Sequence, residues 1–403
     1  SVGASTVLPP TQERQVLRTV IEQPFDPRDH PSPLSGLRRY LRDDRADRTM
    51  FTVAGMPANA RIRIATLDSY DGVVYAVGSD EVDSASGTFV RIPSGVDRSD
   101  TAGVAVDVEI VIEGYRGVWL PTIGLFESVS FAGERAARLR ESFYYNDIGA
   151  TGAVIDGLAQ GDAYRLRAVI PEQPTEAQLR GATPGSAEVP RLETLPDELA
   201  LALDAYVEGI ADPGDRLIAA LAGLKRDGYI SHGIGEDEPP SRSGHAADRI
   251  TELFTAPRMV GDAEQYAVAA ALMARQLGFP ARVVFGFAPE GRGDVRVRGE
   301  DVTAWIEVGT AEFGWVTLDP VPEERPIPDE EPEDPNQVAR PQSIVPPPPD
   351  RPDAEQDQST PDSDREEPDP LDPVLQVILA VLRAAGLALA IAGVLMAPFL
   401  VIV

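Results

Sequence analysis

The chain has 403 residues, with 36 basic against 65 acidic side chains and a formal net charge of −29 at pH 7. That balance excludes nucleic acid as a partner, because phosphate backbones are held by a surplus of Lys and Arg. There is no cysteine, so disulfides, thiolate catalysis and thiolate metal sites are excluded outright, while the 43% hydrophobic fraction is that of globular protein with room for two or three domains.

Residues 1–45 mix Pro, Arg and Asp and are expected to form an extended, juxtamembrane segment with one short helical candidate, SPLSGLRRYLRDD. From 46 to 172 the chain alternates apolar and polar residues in short runs: TMFTVAGM, ARIRIATLDSY, VVYAVG, TFVRIP, VAVDVEIVIEGY, SVSFAG, ESFYYNDI, GAVIDG and AYRLRAVI. Gly, Asp, Asn and Pro turns separate them, which predicts a strand-rich antiparallel sandwich or barrel. At Thr175 the period changes. TEAQLRG, LPDELALALDAYVEGI, DPGDRLIAALAGLKRDGY and DRITELF read as helices, the third with Asp212 at its N-cap and Pro213 at its first position.

The stretch VGDAEQYAVAAALMARQLGFPARVVFGF, residues 260–287, predicts a turn with Asp262 as N-cap, an alanine-rich buried helix, a stop at Gly278 and a buried strand. Two more strands, TAWIEVG and FGWVTLDP, follow. The expectation is an α+β domain over 173–322 in which a helix packs on an antiparallel sheet. Residues 323–370 are Pro-rich and acidic with few apolar side chains, the composition of a disordered linker. From Ala384 to Val403 every residue is apolar, Gly or Pro, which is the length that crosses about 30 Å of hydrocarbon. A transmembrane helix is therefore expected over 374–403, with residues 1 to about 370 outside the cytoplasm. The absence of an initial Met and the apolar run at the chain end read as a slice of a larger membrane protein.

Three ordered motifs carry a resemblance. Gly261-Asp262-Ala263, Thr303-Ala304-Trp305 and Leu318-Asp319-Pro320 fall where the bacterial membrane-anchored members of the transglutaminase-like superfamily, papain-like in core fold, have G-x-C, H-A-W and D-P; Gly278-Phe279-Pro280-Ala281-Arg282 matches the turn they carry after the helix. The resemblance implies that fold over about 173–322. It also implies that the nucleophile position is Ala263, the base position Thr303 and the retained acid Asp319, so the catalytic set is degenerate. Losing nucleophile or base alone removes about 10⁶-fold of rate in a well-studied hydrolase. An engineered Cys→Ala change would explain Ala263 and leave Thr303 unexplained.

Other chemistry has few places to come from. The histidines are His30, His232 and His245. In the loop 231–245, Ser231, Ser241 and Ser243 beside His232 and His245 either cap and solvate a polar loop or, with Asp262 or Asp248, form a new hydrolase site. The same histidines with Glu236 or Asp237 would be a weak metal set. Asp262, Glu264, Asp301, Glu307 and Asp319 either do structural work or pair for acid–base chemistry. The groove expected around the degenerate site comprises Asp262, Glu264, Gln265, Trp305, Trp315, His232 and His245. No cofactor and no metal are expected. The function expected is an inactive binding or scaffolding module at the cell envelope, holding a peptide or cell-wall peptide, with the His232/His245 hydrolase, a bare structural spacer, or a peptidase or transglutaminase activity lost only in this chain as alternatives.

Overall fold

The computed structural model describes residues 25–78, 87–92, 95–235 and 238–328. A pair of short turns of 3-10 helix leads into α1 (Leu37–Leu41), and strands β1 (Thr49–Met56), β2 (Ile62–Leu67), β3 (Ser69–Tyr70) and β4 (Tyr75–Ala76) follow. Next come β5 (Gly103–Ile112), β6 (Gly117–Leu120), β7 (Thr122–Ile123), β8 (Leu125–Ala132), α2 (Ala136–Glu141), β9 (Phe143–Asn146), β10 (Thr151–Leu158) and β11 (Ala163–Pro171). The helical stretch is α3 (Glu176–Leu179), α4 (Asp197–Tyr206), α5 (Pro213–Asp227), β12 (Gly228–Ile230), α6 (Ala247–Thr255), β13 (Met259–Gly261) and α7 (Ala263–Gln276). The chain then runs through β14 (Ala281–Phe287), β15 (Gly293–Arg298), β16 (Val302–Thr310) and β17 (Gly314–Leu318).

Two five-stranded sheets dominate, in orders β15-β1-β5-β11-β8 and β17-β16-β14-β2-β7. Each borrows from the other half of the sequence. β15 pairs antiparallel with β1, setting Val297 opposite Phe51 and Val295 opposite Val53, and β2 pairs with β14, setting Ala65 opposite Phe285. The strand-rich region and the α+β region are therefore interleaved. This exchange was hidden because alternation marks a strand and its inner face without naming its neighbour.

The strand GDVRVR of β15, the pair in GVWLPTI and helix α2 are absent from the sequence reading. Conversely, VVYAVG is a strand only at Tyr75–Ala76, and TFVRIP makes a single bridge, Val90 to Tyr145. These runs are too short to hold a ladder between closely spaced turns. Residues 323–328 have no regular structure; the rest of the expected linker, the expected membrane helix at 374–403 and residues 1–24 lie outside the described residues. Among the described residues no helix is long and apolar enough to cross a membrane.

α7 is buried from Ala263 through Ala274, and its six alanines let the helix axis approach a sheet closely. It packs on β14 and β16. Strand alternation sends Val283, Phe285, Ala304, Ile306 and Val308 into the same apolar core as α7. The helix stops at Gly278, whose φ of +91° is left-handed and suits glycine. On the other face of the sheet Gly286 has no room for a side chain: a Cβ there would strike the Ile62 carbonyl and come within 2.7 Å of the Trp305 indole. Gly286→Ala is expected to destabilise the fold by about 1–3 kcal/mol, read as a lower denaturation midpoint at unchanged m-value.

Candidate functional site

The N-terminus of α7 is built by reciprocal capping. Asp262 accepts at Oδ1 from Glu264 N, 2.9 Å, and its own N–H donates to Gln265 Oε1, also 2.9 Å. This uses donors that a helix start leaves open. Asp262 is fully buried, and its other oxygen takes Arg38 Nε of α1 at 2.6 Å. The same guanidinium donates to the Ser241 and Arg242 carbonyls and to Ser241 Oγ. Burial alone would raise the Asp262 carboxyl, but the neighbouring His232 imidazole and the Arg38 guanidinium outweigh it and hold it below the usual carboxylate range. Ala263, the first residue of the helix, is 7% exposed. The helix end is thus closed by α1 and the 241–242 turn.

His245 is 1% exposed and both ring nitrogens are engaged. Tyr75 N donates to Nε2 at 2.7 Å, so Nε2 is the acceptor and the proton sits on Nδ1, which meets Glu264 Oε1 at 2.7 Å. His232 differs. Its Nδ1 is buried without a hydrogen bond and stands 3.9 Å from Asp262 Oδ2, beyond bonding and within electrostatic reach. Two of the loop serines are engaged elsewhere: Ser231 Oγ donates to the Pro239 carbonyl, and Ser241 Oγ accepts from Arg38 and Arg249, while Ser243 is exposed. Asp248 lies exposed, paired with Arg242.

The remaining expected groove residues lie elsewhere. Thr303, Trp305 and Glu307 alternate onto the face of β16 turned away from α7, Trp315 and Thr317 share that face on β17, and Asp319 follows directly after β17. Trp305, Glu307, Trp315 and Asp319 border a cleft of about 720 Å³ whose opposite wall comes from the strand-rich region. Asp319 pairs with Arg61 Nη2 at 2.7 Å, and Arg61 lies over the Trp305 ring. Glu307 takes both Arg63 and Arg282, and Arg282 stacks on Trp315 with its guanidinium carbon 3.9 Å from the ring centroid. What the sequence joined into one groove is therefore two places: Asp262, Ala263, Glu264, Gln265, His232 and His245 at the helix end, and Trp305, Trp315 and Asp319 on the sheet.

No two of the suspected carboxylates face each other as an acid–base pair, since Asp262, Glu264, Glu307 and Asp319 each meet a cation or imidazole and Asp301 accepts from Arg298 N. Glu236 and Asp237 lie outside the described residues; among the described residues no group of three or more His, Asp and Glu is placed to hold a metal.

Residues 206–320 match the family model described as the transglutaminase-like superfamily, and residues 17–175 match the TgpA N-terminal domain. The chain carries a transglutaminase-like core behind a TgpA N-terminal domain. The periplasmic domain of TgpA from Pseudomonas aeruginosa is 19% identical over 74% of this chain and 93% of that chain, with a TM-score of 0.47. Its ethylmercury-bound form is 17% identical over 74% and 95%, with a TM-score of 0.45, and red sea bream transglutaminase is 11% identical over 74% and 52%, with a TM-score of 0.22. No curated protein matches.

Three arginines that the N-terminal region sends to acids of the transglutaminase-like core, Arg38, Arg61 and Arg63, were missed by the sequence reading. A signal for the last two existed: in ARIRIATL, arginine alternates with isoleucine along one strand, so one face of β2 had to be cationic.

Proposed function

We propose that this chain's transglutaminase-like core is non-catalytic and acts by binding a peptide, on the extracytoplasmic side of a membrane protein. The observation that carries this reading is the closed N-terminus of α7. The position of the family's nucleophile holds a methyl group, 7% exposed, and the carboxylates and His245 around it are engaged in bonds that hold the fold together. Thr303 supplies no base near neutral pH, and Asp319 is held by Arg61 on the cleft side of the sheet. The apolar run from Ala384 to Val403 supports the membrane setting.

The lack of native cysteine makes a clean test. A single Ala263→Cys variant carries one thiol in the whole chain, so its alkylation reads that position alone. The closed helix end predicts labelling by iodoacetamide far slower than a free thiol, with no enhancement below pH 7. Fast labelling at pH 5–6 would show an activated nucleophile position and would contradict the proposal.

A further inference from the structure

We propose that the cleft between the sheet face of the core and the strand-rich region binds a peptide through a free carboxylate. This rests on the binding role proposed above and assigns it a place and a chemistry. The cleft, about 720 Å³, is of the size that holds drug-sized ligands. Four arginines and three carboxylates line it, an excess of cations in a chain whose net charge is −29. The guanidinium groups are held in place before any ligand arrives. Arg282, on Trp315, engages its fork with Glu307 and the Ile148 carbonyl, while Arg61, over Trp305, has its plane fixed at the part-exposed edge where a carboxylate can meet it.

The Arg61 side chain is 28% exposed and its partner Asp319 is 40% exposed, so an incoming carboxylate reaches Arg61 at the cleft mouth and competes with Asp319 for it. Apolar surface flanks this point. Ile148 and Phe313, 49% and 38% exposed, are among the few large apolar side chains left open in the described residues, and both border the cleft. A carboxylate on Arg61 with an apolar side chain against Phe313 satisfies both features, and the anion alone satisfies one.

Isothermal titration of the purified chain with the N-acetylated tripeptide Ala-Leu-Phe tests this, as the free acid and as its C-terminal amide. The acid should bind at least tenfold more tightly than the amide. Arg61→Met should weaken the acid at least tenfold. Asp319→Asn, which removes the competing charge and keeps an oxygen for the Val321 N–H, should tighten it several-fold, an effect that a loosened fold does not produce. Acid and amide binding equally, no binding at millimolar peptide, or displacement by acetate as effective as by the peptide would each overturn the assignment. None of these outcomes touches the non-catalytic reading, which is judged by labelling of Ala263→Cys and by turnover.

Discussion

Replacing Glu307 by Ala should lower the unfolding free energy by about 3–5 kcal/mol, the cost typical of removing one partner from a buried ion pair. Glu307 is 4% exposed and is the shared counter-charge of Arg63 and Arg282, themselves 7% and 4% exposed. Its loss strands two guanidinium groups in the sheet face that forms the cleft. The effect should depend on pH in a defined sense. Burial pushes the Glu307 carboxyl up, but Arg63 and Arg282 more than offset it, so its folded value lies below the ordinary one. A group whose pKa falls on folding stabilises the fold fully above its unfolded value, about 4.3 for Glu, and loses that contribution as pH drops through the folded value. The gap between the native chain and Glu307→Ala should therefore be constant near neutrality and close progressively below about pH 4. Urea denaturation across pH 3–7 measures it. Exchanging Asp107, whose pair with Arg165 is exposed, should leave the midpoint unchanged.

Arg38→Met should be comparably damaging, again about 3–5 kcal/mol. It leaves Asp262 fully buried without its ion-pair partner, His232 standing 3.9 Å away, and takes the Arg38 donor from the Ser241 carbonyl, while the Arg242 carbonyl keeps Arg249 Nε. Because the main cost is an unpaired buried charge, the double variant Arg38→Met with Asp262→Asn should be more stable than the sum of the singles predicts. Asparagine keeps the oxygen that caps Glu264 N. A double-mutant cycle by chemical denaturation reads this coupling directly. Hydrogen exchange at the N-terminal amides of α7 and in residues 241–244 should rise in the single Arg38 variant.

The helix-to-strand unit of 260–287 was legible because its signals are local. Asp262 caps two residues away, Gly278 takes its left-handed turn, and the alanines announce a helix pressed on a sheet. The three motifs placed the core. What stayed hidden is long-range. Arg38 reaches Asp262 across 224 residues and Arg63 reaches Glu307 across 244, and no periodicity encodes such a meeting. The exchange of β15 and β2 between sheets is hidden for the same reason. The separation of the expected groove into two places follows from one elementary fact that a motif alignment passes over: Trp305 and Ala304 are neighbours in sequence and face opposite sides of a strand. Reading the parity of β16 against its buried partners would have placed Trp305 and Glu307 with Arg282, away from α7.

The most direct test of the account is turnover itself. The purified chain is incubated with a glutamine-donor protein and a fluorescent primary amine, and in parallel with a chromogenic ester, beside an active transglutaminase as positive control. The account predicts amine incorporation and ester hydrolysis no faster than in buffer, and unchanged by His232→Ala. Turnover above buffer that disappears in His232→Ala would contradict it.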